Sequence, residues 1–146
     1  TLQVLPDMLQ RNRGHICNIA SAGGMLGNPK MSVYGASKWA VIGWSESMRI
    51  ELQQRKANVH VTTVAPYFIS TGMFQGVRSI FPILKPEPTA KKIIRAIERN
   101  TIFAGIPFGY HFIRFWQAIL PLRVFDWLFG TVFGIYRTMD HFTGRK

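Results

Sequence analysis

Two short apolar runs separated by one long helical pattern constrain the fold of this chain more than any other feature. Residues 15–20 form an apolar run that stops at Ser21-Ala22-Gly23-Gly24, a sequence suited to a turn. Residues 32–54 suit a helix of about six turns. Residues 58–65 alternate, are rich in Val and Thr, and end at Pro66. This order predicts a βαβ unit whose two strands lie parallel in one sheet.

The rest of the pattern extends the same α/β arrangement. Residues 2–12 suit the end of a helix, residues 89–100 an amphipathic helix with Thr89 as its cap, and residues 101–106 a short apolar strand. The chain has 146 residues, is 47% hydrophobic and shows no internal repeat, so we expect one domain or part of one.

The first half of the long helix is apolar on nearly all sides. Its apolar residues are Ala36, Trp39, Ala40, Val41, Ile42 and Trp44. They cannot all face one sheet, so another element or another subunit must cover the second side. Contact with a second copy of the chain through residues 32–54 is the simplest source of that cover, which predicts a homo-oligomer, in the first instance a dimer.

Three residues with acid–base or hydrogen-bonding side chains are predicted to converge at one sheet edge. Tyr34 and Lys38 are four residues apart, so they project from one face of the long helix about one turn apart. A neighbouring ammonium group favours a phenolate, so Lys38 is expected to make Tyr34 an effective acid or base. Ser21, at the end of the preceding strand, could present its hydroxyl to the same substrate oxygen. A Tyr-x-x-x-Lys pair alone occurs by chance in many helices.

Three segments together resemble the short-chain dehydrogenase/reductase family in order and spacing: Asn18-Ile19-Ala20-Ser21-Ala22-Gly23-Gly24, Tyr34-Gly35-Ala36-Ser37-Lys38 and Val64-Ala65-Pro66. The resemblance implies a Rossmann-type, doubly wound parallel sheet and hydride transfer between a nicotinamide cofactor and a carbonyl or alcohol carbon. It implies that Tyr34 is the general acid/base, that Lys38 activates it and holds the nicotinamide ribose, and that Ser21 binds the substrate oxygen.

A further family motif, Pro-Gly-x-x-x-Thr, is matched by Pro66-Tyr67-Phe68-Ile69-Ser70-Thr71. The resemblance implies that Pro66, the backbone at Ile69 and Thr71 bind the cofactor, with Thr71 on the carboxamide. Tyr67 replaces the usual Gly, and Tyr adopts a positive φ less easily, so the loop conformation is expected to differ. Tyr67 and the following Thr71-Gly72-Met73-Phe74 resemble the branch of retinol dehydrogenases and 17-beta-hydroxysteroid dehydrogenase-like membrane enzymes, which implies a lipophilic alcohol or ketone.

The resemblance covers nearly all of residues 1–106 but lacks the glycine-rich phosphate loop, the Asn-Asn-Ala-Gly segment and the catalytic Asn of the family. We therefore interpret residues 1–107 as the C-terminal part of a dinucleotide-binding domain and residues 108–146 as an aromatic-rich helical extension. The absent initiating Met agrees with a fragment, and the fragment alone is expected to be inactive. The choice between NAD and NADP belongs to the missing half.

The net charge, the histidines and the single cysteine bear on three questions: nucleic-acid binding, a metal site and the cellular compartment. The formal charge is 18 − 7 = +11, which suggests an anionic partner. Lys91, Lys92, Arg95 and Arg99 are better explained by a solvated helix face, so no nucleic acid is expected. The four histidines lack metal-ligand spacing, so we predict no metal site. One cysteine, Cys17, and no secretory signal predict an intracellular, cytoplasmic protein.

The segment 108–136 has three interpretations: a lid over the substrate pocket, an oligomer contact, or a helix in a membrane interface. It is rich in aromatic residues but interrupted by charges and Pro121, so no apolar stretch approaches the ~20 residues that span a bilayer. Its tryptophans and arginines suit a membrane surface, so we favour peripheral membrane association. Simple packing of these aromatics on the domain remains the alternative.

The leading hypothesis is an NAD(P)-dependent oxidoreductase of a lipophilic alcohol or ketone that is retinoid-, steroid- or lipid-like. The alternative is a non-catalytic membrane-associated binding or scaffold protein that retains the fold.

Overall fold

The computed structural model describes residues 1–144 of the chain, so the last two residues of the 108–146 extension lie outside the described residues. A short helix, α1 (Leu5–Gln10), leads into strand β1 (Gly14–Ile19). A 3-10 turn (Ala22–Gly24), helix α2 (Ser32–Gln54), strand β2 (Val59–Pro66), helix α3 (Pro86–Glu98) and strand β3 (Phe103–Ile106) follow. The bounds of α2 agree with the prediction.

The three strands form one parallel sheet in the order β1-β2-β3. Gly14 pairs with Val59 at the start of the first ladder, and Pro66 pairs with Ile106 at the end of the second. The α/β class with a parallel sheet and flanking helices is thereby confirmed.

The side chains of β2 alternate between the two faces of the sheet, as a strand requires. Val59 and Val61 pack with Met48 and Leu52 of α2. Val64 packs with Ala96 of α3. Helices α2 and α3 therefore cover opposite faces, which makes β2 the most buried strand.

Helix α3 begins earlier than predicted, and Thr89 is not its cap. Lys85 is the N-cap residue, and Pro86 occupies the first helical position, where a missing N–H costs nothing. Thr89 lies buried one turn inside the helix and donates its hydroxyl hydrogen to the Lys85 carbonyl oxygen at 2.7 Å. The helix also ends earlier, at Glu98, and Asn100 takes a positive φ of 51° as residues after helix ends often do.

The C-terminal segment consists of short helical pieces: a 3-10 helix (Phe108–Phe112), α4 (Ile113–Ile119), α5 (Leu122–Phe125), a π-helical stretch (Asp126–Val132) and a 3-10 turn (Ile135–Arg137). Ile113, Phe125, Ile135 and Met139 are buried in the same cluster as Met25. The described part of this segment therefore completes the core at the carboxyl end of the sheet. No helix within residues 1–144 is both long and apolar enough to cross a bilayer.

Candidate active site

An open cavity of about 240 Å³ lies at the carboxyl ends of β1 and β2. All six candidate site residues line it: Ser21, Tyr34, Lys38, Pro66, Ile69 and Thr71. They meet because parallel strands direct their carboxyl ends, and the loops that follow, to one edge of the sheet. The structure thus brings the predicted residues together, while their chemical roles stay predictions.

Ser21 is held between the ends of two strands. Its extended backbone (φ −168°) caps the 3-10 turn Ala22–Gly24, and its Oγ accepts a hydrogen bond from the Gly23 N–H at 3.2 Å. The same hydroxyl lies 3.5 Å from the Pro66 carbonyl oxygen at the end of β2, to which it donates. These two bonds orient the hydroxyl at the cavity wall.

Tyr34 and Lys38 lie one turn apart at the start of α2. The Lys38 ammonium nitrogen is 5.8 Å from the centroid of the Tyr34 ring and donates to the Ile19 carbonyl oxygen at 3.1 Å. The Tyr34 ring packs edge-on against Phe74, with centroids 5.8 Å apart. Because Ile19 ends β1, the lysine ties the start of the helix to the end of the strand and places a positive charge beside the phenol.

Gly23 and Gly24 allow the turn after β1 to lie directly against α2. A Cβ atom on Gly24 would stand 2.7 Å from the Lys38 backbone oxygen and 2.8 Å from the Ile42 Cδ1. A Cβ atom on Gly23 would stand 3.3 Å from the Tyr34 ring. The two glycines therefore set the separation between the Ser21 turn and the helix that carries Tyr34 and Lys38.

The loop after β2 accommodates Tyr67 without a positive φ. The Tyr67 side chain is buried, and its hydroxyl shares a 2.7 Å hydrogen bond with the Ser79 hydroxyl. Burial raises the pKa of Tyr67, and the bond to Ser79 partly opposes that rise. The loop is further held by the Thr71 N–H, which donates to the Ile69 carbonyl oxygen at 2.8 Å. Tyr67 is therefore a packing residue of this loop.

Sequence reasoning missed the part of the cavity wall that comes from distant segments. Leu26, Asn28 and Met31 follow the 3-10 turn, whereas Tyr110 and Ile135 belong to the C-terminal segment. The Asn28 amide nitrogen donates to the Thr138 hydroxyl oxygen at 2.8 Å, a contact between residues 110 positions apart. No local pattern marks such partners. Within residues 1–144, no group of three or more His, Cys, Asp or Glu side chains is placed to hold a metal ion.

A family model described as short chain dehydrogenase matches residues 1–80, more than half of the chain. The chain belongs to the short-chain dehydrogenase family. Among curated members, epidermal retinol dehydrogenase 2 of Mus musculus is 38% identical to it over 97% of this chain and 47% of its own length. The chain therefore spans about half the length of the curated short-chain dehydrogenase relatives it matches.

Solved short-chain dehydrogenases share the fold. One from Burkholderia cenocepacia, in complex with NADP, matches 81% of this chain and 48% of its own with a TM-score of 0.67 at 24% identity. One from Burkholderia phymatum, in complex with NAD, matches 79% of this chain and 51% of its own with a TM-score of 0.64 at 21% identity. The sheet and helices described above thus form part of a Rossmann-like fold.

Proposed function

We propose that the protein is an NAD(P)-dependent oxidoreductase that interconverts a lipophilic alcohol and the corresponding ketone or aldehyde. The observation that carries this proposal is the arrangement of Ser21, Tyr34 and Lys38 on one open cavity, with Thr71 at its border. A non-catalytic scaffold would have no need for a phenol, an ammonium group and an oriented hydroxyl at one sheet edge.

Each residue has a role that its position allows. Tyr34 is the general acid/base, because its hydroxyl makes no hydrogen bond to any residue within 1–144 and is free to exchange a proton with a ligand. Ser21 accepts a hydrogen bond from the Gly23 N–H and turns its one O–H from the Pro66 carbonyl oxygen, 3.5 Å away, to the substrate oxygen. Lys38 stabilises negative charge on the Tyr34 oxygen.

The cavity also fits the nicotinamide end of a cofactor. Lys38 uses one of its three donors on the Ile19 carbonyl oxygen, which leaves the others for ribose hydroxyls. Pro66, the backbone at Ile69 and Thr71 would border the nicotinamide ring. When bound, the cofactor supplies or accepts the hydride. Either NAD or NADP agrees with these residues, and the Burkholderia proteins are in complex with one or the other.

A lipophilic substrate, retinoid-, steroid- or lipid-like, suits the rest of the cavity. Its wall is mostly apolar and includes Leu26, Met31, Phe68, Met73, Phe74 and Ile135. Apolar walls with a few convergent polar groups are the usual form of a small-molecule site. The name of the mouse relative, a retinol dehydrogenase, points in the same direction.

We include two surfaces in the proposal. On α2, Val33, Trp39 and Trp44 are exposed in the single chain, with Val33 at 83%, which supports a homo-oligomer through this helix. On the C-terminal segment, Phe108 at 70% and Trp127 at 61% are among several exposed aromatics, which supports contact with a membrane surface. We propose that this surface lies inside the cell.

In domain terms, we propose that residues 1–107 form the C-terminal part of a dinucleotide-binding domain and that residues 108–146 form an extension. The extension supplies both the exposed aromatics and two residues of the cavity wall, Tyr110 and Ile135.

The test is turnover of a lipophilic alcohol by the full-length enzyme and its Tyr34→Phe variant. Phe keeps the edge-on packing against Phe74 but removes the exchangeable proton, so kcat should fall by roughly 10²–10⁴. Tyr136→Phe is the matched control, because it also deletes a phenol hydroxyl, one that is bonded to Asp126 and does not line the cavity. Equal kcat values for Tyr34→Phe and the wild type would refute the role of Tyr34. Membrane binding without any turnover would favour the scaffold.

A further inference from the structure

A second cavity of about 260 Å³ adjoins the candidate active-site cavity. Leu26, Tyr110 and Ile135 line both cavities and form their common wall. All three are buried, so the wall is a packed part of the core. The remaining lining comes mostly from the C-terminal segment and the loop after β2: Phe81, Pro107, Gly109, Ile113, Trp116, Phe129 and Phe133.

The second cavity is chemically suited to hydrocarbon. None of its lining residues carries a charge, and its polar side-chain groups are the Tyr110 hydroxyl and the Trp116 indole N–H. Burial raises the pKa of Tyr110, with the neighbouring Tyr67 adding to the rise, so this hydroxyl stays neutral. A charged or strongly polar ligand would lose its hydration there without a matching partner.

Size and position indicate that the two cavities serve one ligand. The first cavity, at about 240 Å³, falls below the ~300–1,000 Å³ typical of small-molecule pockets and would also hold the nicotinamide end of the cofactor, so a large substrate needs further space beside it. The polar groups, Ser21, Tyr34 and Lys38, all lie on the first cavity. A ligand that reaches from the first cavity into the second would thus place a hydroxyl or carbonyl at one end and an unsubstituted apolar chain at the other.

We propose that the second cavity is a subsite for the apolar tail of the substrate, and that the Leu26, Tyr110 and Ile135 side chains, which separate the two cavities in this structure, turn aside to let the tail pass. This inference rests on the proposed function, because the tail is defined relative to a carbon that reacts beside Tyr34. It makes the C-terminal segment a determinant of chain-length preference. The preferred substrate is an elongated alcohol whose functional group is at one end.

A plug in the second cavity tests the subsite. Gly109 lines the second cavity and not the first, and a Cβ atom built on it meets no atom within 4 Å, so Gly109→Trp adds a large ring at the cavity wall without a backbone clash. Val132→Trp is the matched control, because Val132 is exposed on the same segment and lines neither cavity. Thermal melts of both variants establish that each is folded before any other measurement is compared.

The first readout is the ratio of kcat/KM for tetradecanol to that for butanol, measured in the full-length enzyme. Each buried methylene group is worth a factor of roughly four in binding, so losing burial of two or more should lower this ratio at least about tenfold in Gly109→Trp. Val132→Trp should keep the wild-type ratio. A folded Gly109→Trp variant with an unchanged ratio would overturn the subsite.

The second readout does not depend on turnover. Tetradecanol should displace the neutral dye Nile red from the wild type and from Val132→Trp, and Gly109→Trp should lose this displacement. If no alcohol is turned over while this pattern of displacement holds, the proposed function fails and the subsite stands. If alcohols are turned over but displacement is the same in all three proteins, the subsite fails and the proposed function stands.

Discussion

Substituting Gly24 by Ala should separate the Ser21 turn from the helix that carries Tyr34 and Lys38. The added Cβ atom would lie 2.7 Å from the Lys38 backbone oxygen, whereas ordinary van der Waals contact begins at about 3.4 Å. The clash is with helix backbone, which cannot rotate away as a side chain can. The turn and the helix must therefore move apart by roughly 0.7 Å at this point.

That displacement has two measurable costs. Overpacking of a well-packed core typically costs about 1–3 kcal/mol, so the melting temperature should fall by several degrees. A misplacement of ~1 Å near reacting groups can cost 10²-fold in rate, so kcat should fall by about tenfold to a hundredfold. Both are measured on the full-length enzyme, by thermal unfolding and by steady-state turnover of a lipophilic alcohol.

Gly43→Ala, within helix α2, supplies the matched control. A Cβ atom on Gly43 meets no atom within 4 Å, and Ala is favoured over Gly in a helix by about 1 kcal/mol, so this variant should be slightly stabilised. If Gly24→Ala and Gly43→Ala have the same melting temperature and the same kcat, the close approach at Gly24 does not position the site.

Three further outcomes follow from packing and ionisation. Deletion of residues 108–146 should unfold the protein, because several of the buried side chains that it removes each contribute roughly 1.5–3 kcal/mol to the free energy of unfolding. The thermal melt should lose its cooperative transition, and a retained transition would contradict this. Burial and the nearby His60 lower the pKa of His15, so protonation favours the unfolded state and stability should fall as pH drops below about 6.5. His15→Gln should flatten that loss in urea titrations. Ser45→Ala removes the acceptor of a 2.8 Å hydrogen bond from the Asn18 side chain, so it should lower the free energy of unfolding in urea by about 1–3 kcal/mol. An unchanged free energy would refute the role of this bond.

Patterns of hydrophobicity predicted the central elements well and their ends less well. Helix α2 was predicted residue for residue, because Ser32 follows a turn-rich stretch and the helical period continues to Gln54. Helix α3 was placed three residues late because Thr89 was taken as a cap, although Pro86 was the better start signal. Threonine is a common cap residue, but Thr89 donates its hydroxyl hydrogen to a carbonyl oxygen inside the helix. The residue type alone does not distinguish a cap from such an intrahelical bond.

The candidate site likewise has residues that could be placed from sequence and residues that could not. Ser21, Tyr34, Lys38 and Thr71 could be placed together from sequence, because strand ends in a parallel sheet share an edge and helical spacing is regular. Tyr110 and Ile135 could not, because the contacts that bring the C-terminal segment back to the cavity join residues far apart in the chain.

The C-terminal segment, which supplies Tyr110 and Ile135 to the cavity wall, is hydrogen-bonded to both loops that border the cavity, the one after the 3-10 turn and the one after β2. Thr138 accepts a hydrogen bond from the Asn28 side chain through its hydroxyl and another from the Arg78 N–H through its carbonyl oxygen. Thr138 itself is almost fully buried, so both bonds are shielded from water. A change in the C-terminal segment can therefore move the apolar wall on both sides of the cavity. Ser21, Tyr34 and Lys38 are held separately, by β1, β2 and the glycine turn, so we expect such a change to leave the arrangement of these three residues intact.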